Sequence, residues 1–296
     1  MCLIILDFSI GRALEFFYFK QKKGKLYNVT VALEKQTCDV LIFGSSRAMH
    51  HYNPEIISDS LKLTCYNVGY DGQSILYCKG ALDIVLERYT PKIIIWDINH
   101  YDFMNERQTS YDLLSVLNPY VKRHPALWQT LSLKSKTEKI KHLSSIYPYN
   151  SMLVRIVSGN MSGKTKDDTN NGFTPQDGIW KENMDSIYFS VSSLDKNKMT
   201  AFEDIYSICS KKHIRLYVVI SPIFQHIIDV SSNSSLSYLV QTCDSFNIPL
   251  LNFINDKNYL DRELFLNVDH LNTEGADVFS KDVSHRILSI KPDMSY

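Results

Sequence analysis

Asp39-Val40-Leu41-Ile42-Phe43-Gly44-Ser45-Ser46-Arg47-Ala48 is the stretch on which the reading of this chain turns. Its apolar run is short and unbroken, and a glycine stops it. That pattern fits a strand buried on both faces, as at the centre of a parallel sheet, better than a strand with one wet face. Asn53-Pro54 then opens a helix to about Ser60, with Asn as its cap and Pro in its first turn. Leu63 to Val68 reads as a second strand stopped by Gly69. Gln73 to Tyr89 reads as an amphipathic helix ended by Thr90-Pro91, and Lys92 to Ile98 as a third strand.

The same alternation resumes later in the chain. A helix is predicted from about Lys196 to Lys212, a fourth strand over Ile214 to Ile220, and a helix around Leu236 to Phe246. A fifth strand comes next over Pro249 to Ile254, with a last helix from about Asn272 to Leu288. Short apolar runs alternating with helices predict β-α units. The expected fold class is α/β: a three-layer α/β/α sandwich around a five-stranded, mostly parallel, flavodoxin-like sheet. Residues from about 103 to 190 interrupt it after the third strand. They are rich in Tyr, Ser, Asn and Lys, with turn signals at Asn118-Pro119, Tyr147-Pro148 and Thr174-Pro175, and read as a large, partly helical insertion. Residues 1–37 read as an N-terminal helical segment and 38–296 as one α/β domain.

Bulk composition narrows the function classes. Lysine plus arginine and aspartate plus glutamate both number 32, so the formal net charge is zero. Phosphate contacts dominate nucleic-acid affinity and call for a basic excess, which argues against a nucleic-acid partner. The six cysteines form no C-x-x-C pair, and His50-His51 lacks i, i+4 spacing and a third ligand, so no metal is expected. Met1 to Leu6 is strongly apolar, but Asp7, Arg12 and Glu15 break up the run beyond it. That falls short of the ~20 apolar residues of a membrane span. Either the segment is a helix packed on the domain, or it is the remnant of a membrane anchor and a route to membrane association.

In parallel α/β sheets chemistry sits beyond the carboxyl ends of the strands. Ser45 and Ser46 come after the first predicted strand, and Gly69 and Gly72 after the second. Asn99 and His100 come after the third, and Asp269-His270 precede the last helix. A hydroxyl, backbone N–H groups, an amide and an imidazole on one edge are the parts needed for acyl transfer. Each part has a plainer reading too. Gly-Ser-Ser is a common turn, Gly69 and Gly72 suit positive φ, and Asn272 can cap the last helix without help from His270. Arg47 reads more readily as half of a structural ion pair than as a substrate contact. Tyr147, Tyr149, Phe173 and Trp180 suit either sugar stacking or ordinary packing.

The ordered set Gly44-x-Ser46, Asn67-x-Gly69-x-x-Gly72, Asn99 and His270 resembles the SGNH (GDSL-type) hydrolases over about residues 39 to 290, with the insertion unmatched. Gly44-Ser45-Ser46-Arg47-Ala48 looks most like a bacterial branch in which Ser replaces the Asp of Gly-Asp-Ser. Proteins of that branch often belong to the cell envelope and hydrolyse or acetylate surface polysaccharides. The resemblance implies Ser46 as nucleophile and His270 as general base. It implies an oxyanion hole from Ser46 N–H, Gly72 N–H and the Asn99 amide, with no cofactor. It implies an O-acylated carbohydrate or small ester as substrate, by hydrolysis or by transfer, and an envelope or periplasmic location, with the cytoplasm as the alternative. One position departs from the pattern. The family's Asp-x-x-His has Asn267 at its first place, so His270 is expected to lean on Asn267, on Asp269 or on a backbone carbonyl. The alternative function is an inactive scaffold that binds carbohydrate.

Overall fold

The structure is a computed structural model that describes residues 1–105, 109–161, 170–181, 193–224 and 233–290. Parts of the expected insertion, at 106–108, 162–169 and 182–192, lie outside the described residues.

Five strands form one sheet: β1 (Val40–Phe43), β2 (Cys65–Asn67), β3 (Ile93–Asp97), β4 (Arg215–Ile220) and β5 (Leu250–Asn252). All pair in parallel, in the order β2-β1-β3-β4-β5. The order in which strands are added therefore runs outward in opposite senses from β1 and β3, which places the crevice of a doubly wound sheet at their carboxyl ends.

Period-two alternation along these strands builds a core on each face. Leu41, Phe43, Ile94, Trp96, Leu216, Val218 and Ile220 face the helices Ile75–Leu86, Lys196–Lys211 and Ser234–Ser245. Val40, Ile42, Ile93, Ile95, Tyr217 and Val219 face the helices Pro54–Leu61 and Thr273–Ser289, through Ile57, Phe279, Val283 and Ile287. Two cores separated by one sheet make the three-layer α/β/α sandwich, and they explain why β1 and β3 are apolar at nearly every position.

Polar caps fix where the helices begin. Asn53 Oδ1 accepts from Glu55 N, with Pro54 in the first turn, and Asn272 Oδ1 accepts from Gly275 N. Two short elements escape the sequence pattern. The helix Ser46–His51 comes directly after β1, and an antiparallel hairpin of β6 (Phe265–Asn267) and β7 (His270–Leu271) precedes the last helix. The N-terminal segment is helical over Cys2–Lys20 and Lys25–Thr30, and its Tyr18, Leu26, Val29 and Leu33 join the larger core. No helix among the described residues is long and apolar enough to cross a membrane.

Candidate active site

Gly44 leaves β1 with φ at +148°, and a Cβ there would stand 2.8 Å from both Asp97 O and the Ala48 side chain. Only glycine allows a turn this tight between sheet and helix. The turn sets Ser46 as the first residue of the helix Ser46–His51, with Ser45 as its N-cap residue. The Ser46 N–H is thereby among the first N–H groups of a helix, which have no partner within it.

Asn67, the last residue of β2, clamps this helix to the second loop. Its Nδ2 donates to Ala48 O (2.6 Å) and Tyr52 O (3.0 Å), and its Oδ1 accepts from Gly69 N (2.9 Å). Beyond it, Tyr70 to Gln73 form a turn closed by Gln73 N to Tyr70 O (3.1 Å), with Gly72 at its third position and φ at +71°. That geometry demands glycine in a turn of the second type. A Cβ at Gly72 would meet Leu113 Cδ1 at 3.2 Å, so the conformation, more than crowding, fixes the residue.

His270 comes from the hairpin, 224 residues along the chain, and its Nε2 lies 2.9 Å from Ser46 Oγ. Its Nδ1 lies 3.1 Å from Asn267 Oδ1, which also accepts from Asp269 N (2.9 Å) and His270 N (3.0 Å). Two backbone N–H groups can point only at an oxygen, so the amide orientation is settled by its neighbours. The oxygen then takes the Nδ1–H of His270 and leaves the Nε2 lone pair facing the serine hydroxyl. This is the tautomer a general base needs. Asp269 makes no hydrogen bond to the ring among the described residues; it acts on His270 as a charge. Burial holds the His270 imidazole below its ordinary pKa, and the charges of His50 and Arg47 add to this, against the pull of Asp269 and Asp71.

Asn99 stands buried at the end of β3, with Nδ2 donating to Ser45 Oγ (3.1 Å) and its backbone N donating to Asp102 Oδ2 (2.9 Å). Burial pushes the Asp102 carboxyl up to about 7. Arg47 is buried against Asp97 (3.6 Å) and donates to Ser221 O (3.4 Å), while Asp97 Oδ2 accepts from Tyr52 (2.6 Å) and from Ser221 Oγ. Arg47 is thus half of a buried ion pair beneath the site.

The two adjacent histidines hold the site from either side. His51 Nε2 accepts from Leu271 N (3.1 Å), and burial keeps this imidazole well below its ordinary pKa. The bond ties the hairpin that carries His270 to the helix that carries Ser46. His50 reaches Thr174 O (2.7 Å) and Asp71 Oδ1 (3.2 Å). Burial alone would raise the Asp71 carboxyl, yet hydrogen bonds from His50 and Lys25 hold it well below its usual range. Sequence reading assigned no role to Asn67, His50 or His51. Apart from Gly69, two residues beyond Asn67, their partners lie at positions 48, 52, 71, 174 and 271, too far along the chain for local sequence to announce them. Among the described residues, no group of three or more His, Cys, Asp or Glu side chains could hold a metal ion.

The insertion aromatics pack. Tyr149, Phe173 and Trp180 are buried, and the Tyr147 hydroxyl donates to Glu138 (2.6 Å). Segment 170–181 borders the site by backbone bonds, with Thr174 N donating to Met49 O and Asn67 N to Asn171 O.

No family model and no curated protein matches the chain. Solved structures do. A G-D-S-L family lipolytic protein from Desulfitobacterium hafniense aligns at a TM-score of 0.42 and 10% identity, covering 83% of this chain and 98% of its own. A family two carbohydrate esterase from Clostridium thermocellum aligns at 0.40 and 9%, covering 84% and 63%. The acetyl xylan esterase AlAXEase aligns at 0.39 and 12%, covering 84% and 98%. At such scores the likeness carries no weight for function, and the chemistry is read from the side chains alone.

Proposed function

We propose that the chain is a serine-dependent acyl-transfer enzyme acting on esters. The observation that carries this reading is the Ser46–His270–Asn267 relay: a hydroxyl 2.9 Å from an imidazole nitrogen whose partner nitrogen is held by an acceptor. Ser46 Oγ attacks the ester carbonyl carbon as its proton passes to His270 Nε2. The oxyanion is met by Ser46 N–H, Gly72 N–H and the Asn99 Nδ2 hydrogen not spent on Ser45. Collapse expels the alkoxide, which takes the proton from His270, and leaves acyl-Ser46. Water, or a second alcohol, then releases the acyl group with His270 again as base.

The finer reading places O-acetyl groups of an envelope polysaccharide at the site. It rests on the resemblance of Gly44-Ser45-Ser46-Arg47-Ala48 to that branch. The test is hydrolysis of p-nitrophenyl acetate. Ser46→Ala is expected to remove turnover while the melting temperature holds, and retained turnover refutes the role of Ser46. One observation favours the rival, a scaffold that binds without catalysis: the acceptor at His270 Nδ1 is an amide and not a carboxylate. Under that rival the wild-type chain binds acylated oligosaccharide and hydrolyses no ester.

A further inference from the structure

We propose that the first turns of the helix Cys2–Lys20, with Ile140 and Leu143 close in the chain to the residues that grip it, insert into an anionic lipid bilayer. Residues 1–6 are exposed, with Leu3 at 80% and Ile4 at 74%. The body first grips the helix at Asp7, which accepts from Ser144 Oγ (2.5 Å) and Ser145 N (2.7 Å). The next grip is at Gly11, where a Cβ would stand 2.3 Å from the Ser145 side chain. Before Asp7 the helix end stands clear of the body.

The chemistry of this end selects lipid over a protein groove. Leu3, Ile4, Ile5 and Leu6 are consecutive, so at 100° per residue they cover the whole circumference of the helix. A groove buries one stripe of a helix, whereas acyl chains wet every side. No charged side chain precedes Asp7, and Asp7 is already held by Ser144 and Ser145.

Where the helix leaves the body, apolar and cationic side chains alternate. Leu143 is 82% exposed and Ile140 64% exposed, next to exposed Lys136 and Lys139. This segment leads in the chain directly into Ser144 and Ser145, the residues that hold Asp7, and supplies the cationic groups that anionic headgroups would meet. Apolar insertion with a cationic rim is how a protein lies on an anionic surface without crossing it.

The experiment is co-sedimentation of the full chain with phosphatidylcholine vesicles, with and without phosphatidylglycerol. The wild-type chain is expected to sediment with both and more strongly with the anionic vesicles. Leu3→Asp with Leu6→Asp should lower the bound fraction by roughly tenfold or more. Lys136→Glu with Lys139→Glu should remove only the gain from phosphatidylglycerol. Melting temperature checks that each variant is folded. Two results overturn the proposal: wild-type chain that stays in the supernatant at every lipid concentration, or Leu3→Asp/Leu6→Asp chain that sediments like wild type. A lipid-free dimer abolished by the same double variant, with no vesicle binding, would assign the face to a second copy instead. None of these outcomes depends on Ser46.

Discussion

At the scale of single residues, the amide at 267 is the informative departure. In a serine-protease triad, replacing the aspartate by asparagine costs roughly 10⁴ in kcat, largely because the imidazole adopts the wrong tautomer. Here Asp269 N and His270 N already fix Asn267 Oδ1 toward the ring, so the tautomer is correct and only the anionic charge is missing. Asn267→Asp is therefore expected to raise kcat on a p-nitrophenyl ester, by well under the ~10⁴ of the protease case. A fall in kcat would show that the amide is the better partner. The same ring sets the pH profile. Burial and neighbouring positive charge hold His270 below its ordinary value of 6.5, and catalysis needs it neutral. The rate should accordingly rise with pH through a midpoint below 6.5 and then level off; a rise centred above that value contradicts the assignment. The meeting of Ser46 with His270 was legible, because one follows the first strand and the other precedes the last helix at the expected edge. That Asn267 rather than Asp269 meets the imidazole was not legible, since both are within three residues of it and only the fold of the hairpin chooses.

Elements were readable in proportion to their length. Strands β1, β3 and β4 stand in apolar runs and the long helices carry clear periodicity, while the three-residue β2 and β5 were read from the apolar stretches and turn signals around them. The helix Ser46–His51 spans less than two turns, and β7 has two residues, too few for any period to show. Those unread elements carry Ser46 and His270. What holds them is long-range: His51 to the Leu271 N–H, and Asn67 to Ala48 O, Tyr52 O and Gly69 N. Asn67→Ala would leave those three backbone groups without this partner in a buried setting. At about 1 kcal/mol or more for each unmade bond, the loss expected is about 3 kcal/mol by urea denaturation. A loss under about 1 kcal/mol would mean water replaces the side chain and the clamp is dispensable.

The whole molecule depends on pH through groups buried in their neutral forms. Burial lowers the His100 imidazole to about 3 and His51 well below its ordinary value, while burial raises Asp102 to about 7. Each histidine contributes stability that is present above pH 6.5 and is lost as pH falls, because the unfolded chain then takes up a proton that the folded chain refuses. Asp102 works the other way, contributing below its unfolded pKa of 3.8 and losing that as pH rises toward 7. Between about pH 5 and 6 the histidines His51, His100 and His270 outnumber the one carboxyl, so across these groups the folded protein binds fewer protons than the unfolded chain. Stability should fall on acidification there, read from urea midpoints. A flat or rising profile would contradict the balance. The same global arrangement brings positions 46 and 270 together at the switch point of the sheet, and the account stands on that meeting. Treating the folded chain with a fluorophosphonate and locating the adduct by mass spectrometry tests it most directly. The account predicts phosphonylation at Ser46 that is lost in His270→Ala; a folded wild-type chain that takes no label at Ser46 would contradict it.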